Sequence, residues 1–322
     1  LLTFIFFNLS FNRLAEFGMD KGGQLLIVIL IISLFEIIIN KNSKNKIDNI
    51  LLLIPLVGLC ISTKTYFLTY LLLGLSIFII DKNYLKNFNY LIFSKSTLSF
   101  ILILSLTFAH HFIATGCLIS PLPIFCFDQS LIWARDLNDV QGLSVWVEQW
   151  SKAGASPTFV VDNGEEYIKN FNWVFNWIEK YFFVKFLDQM AILGFAILLI
   201  ILLFKKFDIS KEKIIFKKEF LAFFLIIIVI FYIWFTNHPT LRYGGYSAFY
   251  LLISFPFAIL FYKLRTSKNE RRKIIIVISL VILSVNIKNI IRISEEFQRK
   301  DFYNFKNFPY FALREKQYTQ KK

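Results

Sequence analysis

The sequence predicts an all-α, polytopic transmembrane protein with about eight spans and one large extracytoplasmic loop. Hydrophobic residues make up 56% and aromatic residues 18% of the 322 residues, and the mean hydropathy is +0.57. This composition is too apolar for a water-soluble domain of that length. Apolar runs near the length of about 20 residues that a bilayer core requires recur along the chain. Soluble fold classes are therefore excluded.

The predicted spans are eight apolar segments, at residues 24–39, 50–62, 66–80, 98–115, 182–204, 220–236, 243–262 and 274–287. Only Thr63, Lys64 and Thr65 separate the second segment from the third, so the two form either a tight hairpin or one long broken segment. The hairpin agrees with the positive-inside rule, which then places these basic segments in the cytoplasm: 41–46, 82–95, 205–218 and 263–273. The net charge of +14 is explained by these segments, and no nucleic-acid partner is predicted.

Four regions follow from this pattern. Residues 1–115 form an N-terminal transmembrane region, 116–181 an extracytoplasmic loop, 182–287 a C-terminal transmembrane region and 288–322 a tail that the span count places outside. The chain starts at Leu1 inside what reads as the end of an apolar segment, so we expect a fragment that lacks its N-terminal part. The predicted location is the bacterial inner membrane.

The 66-residue loop differs in charge from the basic connections. It contains four basic and eight acidic residues, a net charge of −4, which favours translocation across the membrane. Near its end an apolar face recurs at helical spacing, at Tyr167, Phe171, Val174, Ile178 and Tyr181. This pattern predicts an amphipathic helix in the membrane interface. The alternative is that the segment simply extends the next span.

The cysteine and histidine residues near the loop suggest a disulfide rather than a metal site. Cys117 and Cys126 flank a Pro-containing segment and either form a disulfide in an oxidising compartment or remain free thiols. His110 and His111 are expected to be packing residues, the alternative being a ligand pair. No further His or Cys lies at ligand spacing, so no metal site is predicted.

Charged residues beside the spans are candidate functional residues, because charge is costly in a membrane. Glu36 and Lys64 can extend to water and are interpreted as ordinary interfacial residues. Asp20 and Arg242 differ, since each lies at the external end of a span next to a Gly-Gly pair, where backbone can approach a ligand.

Five segments carry a family resemblance: TNHPTLRYGGYSAFYLLISFPFAIL, FNRLAEFGMDKGGQLL, ISTKTYFLTYLLL, TGCLISPLPIFCF and YNFKNFPYF. The first is similar to the "RY" segment that opens a late transmembrane helix in a group of membrane enzymes. Together the five resemble the GT-C-type integral membrane glycosyltransferase superfamily, and uncharacterised bacterial polytopic proteins of that type. The resemblance covers most of the chain loosely and rests on no single specific motif.

The resemblance implies roles for a few residues. Arg242 would bind the phosphate of a lipid carrier, a role that suits a guanidinium, and Tyr243, His238 and Trp150 complete the predicted substrate-binding set. The alternative for Arg242 is an interfacial anchor. Asp20 would assist at the reaction centre or bind a divalent cation, the one cofactor suggested, or else be a solvated helix-start residue. The principal catalytic acid of the superfamily would lie upstream of Leu1.

The expected function is transfer of a sugar from a polyprenyl-phosphate-linked donor to a cell-envelope acceptor, with membrane lipids as the other partner. The absence of a Gly-rich nucleotide loop agrees with a lipid-linked donor. Two alternatives remain open. An O-antigen polymerase or ligase would share nearly every feature used above, and a transporter or flippase would be expected to show internal repeats, which this sequence does not show.

Overall fold

The computed structural model describes residues 1–12, 20–39, 46–74, 88–127, 131–156, 159–203, 218–262 and 268–298. These residues are almost entirely helical. The α-helices are α1 Leu2–Ser10, α2 Asp20–Ile39, α3 Lys46–Thr63, α4 Phe88–Ile92, α5 Lys95–Thr115, α6 Leu137–Ser151, α7 Gly164–Ile168, α8 Val174–Trp177, α9 Leu187–Leu203, α10 Lys218–Asn237, α11 Gly245–Tyr262 and α12 Lys268–Gln298. Between them lie 3₁₀ helices at Thr65–Tyr70, Pro123–Phe125 and Leu241–Tyr243, a π-helix at Ile178–Phe186, and one antiparallel pair of two-residue strands, Ala155–Ser156 and Phe159–Val160.

The helices are those of a membrane protein. Four are long and apolar enough to cross a bilayer, at Lys95–Thr115, Val174–Leu203, Phe220–Asn237 and Asn269–Glu295. The second of these runs through α8, the π-helix and α9. Three shorter apolar helices are Ile47–Thr63, Thr65–Gly74 and Gly245–Phe257. Many of their apolar side chains are exposed, as along α5, where Leu98 is 67% and Leu106 is 63% exposed. Exposed apolar side chains are favourable where they face lipid. A helix also suits lipid because its backbone polar groups are satisfied within the helix.

The chain divides into two compact units. The first combines residues 1–17, 195–205 and 266–322. Its described core is small and apolar and contains Ile5, Ala196, Val277 and Val281. In the same unit the amide of Asn289 donates to the carbonyl oxygen of Asn12 at 2.7 Å, which links the segment after α1 to α12.

The second unit consists of residues 18–194 and 206–265. In it α2 packs on α3 and α11, α3 packs on α5, and α10 packs on α11. The ring of Phe255 in α11 holds these helices together: its centroid lies 4.6 Å from that of Phe35 in α2 and 4.7 Å from that of Phe220 in α10. Aromatic pairs in this range add to the free energy of apolar burial.

The predicted interfacial helix is not continuous, which corrects one part of the sequence analysis. The chain leaves helical geometry at Lys169, and Asn170 adopts a positive φ of 54°, a conformation that Asn tolerates better than most residues. This break buries Trp173 completely and lets its indole N–H donate to the carbonyl oxygen of Asn170 at 3.0 Å. From Val174 onward the residues are helical into the next span, which was the alternative interpretation.

A buried lysine connects the end of α6 to the end of α7. Lys152 is 2% exposed, and its ammonium donates to the Glu148 carboxylate at 2.5 Å and to the carbonyl oxygen of Ile168 at 3.1 Å. The Tyr167 hydroxyl donates to the Lys152 carbonyl oxygen at 2.7 Å. A buried charge is tolerated only when it is paired in this way, so these bonds fix the position of the C-terminal end of α6.

The last helix ends later in the chain than the sequence predicts. Helix α12 continues eleven residues past the predicted end of the last span at residue 287. The remainder of the predicted extracytoplasmic tail, residues 299–322, lies outside the described residues.

Candidate functional site

The site is built on the turn between α10 and α11, residues 238–244, which we call the Arg242 loop. Two buried indole rings and one half-buried phenol hold its backbone. The indole N–H of Trp177 donates to the carbonyl oxygen of Pro239 at 2.8 Å, and that of Trp234 donates to the carbonyl oxygen of Thr240 at 2.9 Å. The Tyr181 hydroxyl accepts the Leu241 backbone N–H at 2.9 Å. Because buried backbone groups need such partners, these rings determine the shape of the loop.

The bond from Trp177 gives a testable expectation. Trp177→Phe keeps most of the ring's apolar contacts but leaves the Pro239 carbonyl oxygen without its indole donor, so we expect it to lower the free energy of unfolding by about 1–3 kcal/mol. Trp146→Phe, at a side chain 52% exposed, is the matched control and should have little effect. Unfolding by SDS, monitored by circular dichroism, measures the stability of both variants. Equal stability of the two variants would contradict this account of the loop.

A buried glutamine ties the loop to α2 and α11. Gln24 has no exposed surface, and its amide N–H donates to the carbonyl oxygen of Leu241 at 3.1 Å. Its side-chain oxygen accepts the backbone N–H of Ser247 at 3.0 Å. The Ser247 hydroxyl lies 3.0 Å from the hydroxyl of Tyr70, in the 3₁₀ helix after α3. Four segments are thereby connected by hydrogen bonds that satisfy the polar groups involved.

Three charged residues meet at the edge of this network. The Asp20 carboxylate, 5% exposed, accepts the Arg242 Nε–H at 2.7 Å on one oxygen and pairs with the Lys64 ammonium on the other. Lys64 also donates to the carbonyl oxygen of Arg242 at 2.9 Å. Burial lowers the pKa of Lys64, while the hydrogen bond and charge of Asp20 act in the opposite direction. Lys64, which the sequence analysis interpreted as an ordinary interfacial residue, is thus paired with Asp20 in this cluster.

The three charges leave a net positive site that is open on one side. The Arg242 side chain is 59% exposed, and among the described residues only its Nε has a hydrogen-bond partner, so the two terminal nitrogens remain able to donate. The buried Asp20 orients the guanidinium from behind. An arginine held in this way presents a planar pair of donors, which matches the geometry of a phosphate or carboxylate.

Aromatic rings adjoin the cluster on the side of Lys64. The Tyr243 ring centroid lies 4.9 Å from the Lys64 ammonium, 6.0 Å from the Trp150 ring centroid and 5.6 Å from that of His238. The four predicted substrate-binding residues and Asp20 are therefore brought together, although they come from α2, α6 and the Arg242 loop. The resulting surface combines cationic donors with flat apolar faces.

His238 is held from the side of α6. Its Nδ1 lies 3.3 Å from the hydroxyl oxygen of the fully buried Ser151, and that hydroxyl donates to the Glu148 carbonyl oxygen at 2.7 Å. Burial lowers the pKa of His238; the nearby Glu148 carboxylate raises it and the Lys152 ammonium lowers it. Because burial is the largest of these effects, the imidazole is neutral at pH 7.

The proposed cation site at Asp20 receives little support from its surroundings. Both carboxylate oxygens already face a cationic side chain. Within the described ranges no group of three or more His, Cys, Asp and Glu side chains is arranged to hold a metal ion. This geometry favours a structural counter-ion over a metal ligand.

The two cysteines of the loop are joined in the structure. Cys117 and Cys126 form a disulfide, and the segment between them contains a cis peptide bond at Ser120–Pro121. Backbone bonds close the same ring, because the Leu118 N–H donates to the carbonyl oxygen of Phe125 at 2.9 Å. The disulfide fixes the start of the loop immediately after α5. His110 and His111 lie near the end of α5, with ring centroids 6.1 Å apart.

An apolar groove of about 370 Å³ begins beside the network. Its lining includes Ile27, Leu30 and Leu34 on α2, Val57 on α3 and the ring of Tyr70. Ile27 lies seven residues after Asp20 on the same helix, or about 10 Å along its axis. The groove therefore starts between one and two helical turns from the charged cluster and continues along α2.

The sequence analysis did not identify several of these residues as members of the site. Gln24 and Ser247 are uncharged residues at the ends of apolar runs, and nothing in their local pattern distinguishes them. Lys64 carried a signal, since it is the one charged residue between two adjacent apolar segments. The missing information was its partner, Asp20, which is 44 residues away in the sequence.

The chain was also compared with known proteins. The sequence profile of a family described as Domain of unknown function (DUF8201) matches residues 2–249. This range is most of the chain, and it includes Asp20, Lys64, Trp150 and the Arg242 loop. No curated protein matches the chain, and no solved structure matches it.

Proposed function

We propose that this chain, which belongs to the DUF8201 family, is a membrane glycosyltransferase-like protein. It transfers a sugar from a polyprenyl-phosphate-linked donor to a cell-envelope acceptor at the outer face of the bacterial inner membrane. The observation that carries this proposal is the exposed guanidinium of Arg242, held by a buried carboxylate beside Lys64, whose ammonium lies over the Tyr243 ring.

Phosphate is the group that best fits the charged cluster. Arg242 has free donors, and Lys64 adds a second positive charge beside it. In sugar transfer from a lipid phosphate, negative charge develops on the departing phosphate oxygen. Preformed cationic donors stabilise that charge in the transition state. The rings of Tyr243 and Trp150 supply flat apolar surfaces against which the sugar can lie.

The groove along α2 supports a lipid-linked rather than a water-soluble donor. Its lining is almost entirely apolar, and it begins about 10 Å along the helix from Asp20. A lipid whose phosphate contacts Arg242 can therefore place part of its hydrocarbon chain against the α2 side chains.

Contacts within the site also support the proposed topology of eight spans with an extracytoplasmic loop. Charge alternation assigned Asp20, Lys64, Trp150 and Arg242 to the external side from four separate segments. These four segments meet in one cluster. The disulfide between Cys117 and Cys126 agrees with an oxidising compartment for the loop.

In this proposal Asp20 positions Arg242 and Lys64 and is not the proton acceptor. One of its carboxylate oxygens accepts the Arg242 Nε–H and the other pairs with the Lys64 ammonium. Its buried position, 5% exposed, suits a counter-ion that holds two cations in place.

Binding of a polyprenyl phosphate tests the phosphate site. With the protein in nanodiscs, we expect Arg242→Ala to weaken binding of a short-chain polyprenyl phosphate by about 10- to 100-fold, because a charge-assisted hydrogen bond contributes about 1.5–3 kcal/mol. Binding of the uncharged polyprenol should change little. Arg135→Ala, which removes an exposed arginine of the 116–181 loop, is the matched control.

Transfer is tested with the same preparations. Polyprenyl-phosphate sugars with a radiolabelled sugar are supplied together with cell-envelope glycan, and the label is followed into the acceptor. Label transfer by the wild type and its loss in Arg242→Ala are the expected results. Equal affinity of the wild type for polyprenol and polyprenyl phosphate would overturn the phosphate site, and movement of intact labelled lipid without transfer would instead indicate a flippase.

A further inference from the structure

The inference concerns the proton that leaves the acceptor, and it starts from the position of His238. This residue directly follows α10 and is half-buried. Its ring lies between two surfaces, with Ser151 of α6 at Nδ1 and the Tyr243 ring at a centroid distance of 5.6 Å. The same Tyr243 ring lies below the Lys64 ammonium. His238 therefore borders the cationic site without being paired to either cation.

Hydrogen bonding around Ser151 assigns the tautomer of the ring. A serine hydroxyl has one proton, and Ser151 lies 2.7 Å from the Glu148 carbonyl oxygen, which can only accept. Ser151 must then accept the bond from His238, so Nδ1 carries the proton. Nε2 is left with its lone pair, on the side of the ring that points away from the buried serine.

The lone pair on Nε2 is available. In the part of the chain that the structure describes, Nε2 has no hydrogen-bond partner, and it is not a fully buried atom. The charged groups that face the imidazole are Glu148 of α6 and Lys152, which directly follows α6, and these two are paired with each other. On the Arg242 loop the neighbouring group is the Tyr243 phenol, whose pKa is raised by burial, so it remains neutral.

We infer that His238 is the general base of the site, and that its Nε2 takes the proton of the acceptor hydroxyl. This inference rests on the proposed function for the identity of the reaction. It differs from the role first predicted for His238, which was substrate binding alone. The other candidate acceptor in the cluster, Asp20, has both oxygens engaged by cations.

The proposed step balances in atoms and charge. The oxygen of an acceptor hydroxyl attacks the anomeric carbon of the lipid-phosphate sugar and forms the new glycosidic bond. The bond from that carbon to the phosphate oxygen breaks, and its electron pair remains on the phosphate, which leaves as a polyprenyl phosphate monoester beside Arg242 and Lys64. The hydroxyl proton moves to Nε2, and the imidazolium later returns it to solvent. A positioned base of this kind contributes about 10²- to 10⁴-fold in rate.

Kinetics with matched variants test the role. His238→Gln should reduce the transfer rate by about 10²- to 10⁴-fold while it leaves polyprenyl phosphate affinity within about threefold. His111→Gln, outside the cluster, should leave both unchanged. In the wild type the rate should fall at acidic pH, because imidazolium cannot accept a proton. Burial lowers the pKa of His238, so this acidic limb should lie below the ordinary histidine range, and it should vanish in His238→Gln. A rate for His238→Gln close to that of the wild type would overturn the inference.

A second measurement separates this inference from the proposed function. The chain contains only three histidines, so nitrogen NMR of histidine-labelled protein can resolve each ring, with His238→Gln identifying its signals. At pH 7 we expect a protonated Nδ1 and an unprotonated Nε2, and Ser151→Ala should reduce that tautomer. The opposite tautomer, or an imidazolium at pH 7, would overturn the inference even if transfer occurs. Absence of transfer with the expected tautomer would instead count against the glycosyltransferase proposal.

Discussion

Asp20→Asn is expected to lower the free energy of unfolding by about 3 kcal/mol. The Asp20 carboxylate is 5% exposed and is the shared counter-ion of Lys64 and Arg242. Asparagine keeps nearly the same shape but removes the charge, so two neighbouring cations remain without an anion. Loss of one member of a buried ion pair is costly because the remaining charge is left uncompensated. Most of the loss is assigned to Lys64, which is 19% exposed, since the more exposed Arg242 can recover hydration.

A double mutant tests that explanation. Asp20→Asn combined with Lys64→Met should recover about half of the lost stability, because the uncompensated ammonium is removed with its partner. Asp162→Asn, at an exposed position, is the matched control and should fall within about 0.5 kcal/mol of the wild type. Unfolding by SDS in mixed micelles, monitored by circular dichroism, measures these proteins together with the Lys64→Met single variant, which completes the cycle. Additive losses in the double mutant would show that the two residues are not coupled.

Much of the helical architecture was predictable from composition and the lengths of apolar runs. Each of the eight predicted spans overlaps a helix of the structure, because a bilayer permits few other structures for a long apolar segment. Boundaries were less predictable. The segment from Tyr167 to Tyr181 has good helical periodicity, yet the helix breaks at Asn170. Burial of Trp173 outweighs that local pattern, and burial depends on residues remote in sequence, such as Phe235, whose ring centroid lies 5.2 Å away.

The candidate site was predictable in its members but not in its pairing. Asp20 and Arg242 could be identified because charges at span ends next to Gly-Gly pairs are uncommon and costly. Asp20 and Arg242 are 222 positions apart in the sequence. A single sequence does not indicate that two such distant residues are in contact. The same limit applies to Ser151 and His238, 87 positions apart. Their contact changed the role assigned to His238 from substrate binding to proton transfer.

Gly244→Ala is expected to destabilise the protein by about 3 kcal/mol and to weaken binding of polyprenyl phosphate. Gly244 has a φ of +86°, a left-handed conformation that costs a residue with a Cβ about 1–2 kcal/mol. The added Cβ would also overlap Cε1 and Cδ1 of the Tyr66 ring, and overpacking of this kind costs about 1–3 kcal/mol more. Relief of the backbone strain, or of the overlap with the Tyr66 ring, moves the turn that carries Arg242.

The effect on binding follows from the neighbours of this glycine. The Gly244 carbonyl oxygen accepts the Ser247 hydroxyl at 2.8 Å, and the preceding residues supply the carbonyl oxygens held by Gln24 and Lys64. A shifted turn therefore misplaces the guanidinium relative to Asp20. Gly142→Ala is the matched control, because Gly142 lies in α6 with no atom within 4 Å of an added Cβ, and helix propensity predicts a gain of up to about 1 kcal/mol there. Wild-type lipid-phosphate affinity in a destabilised Gly244→Ala protein would mean that Arg242 does not depend on this turn for its position.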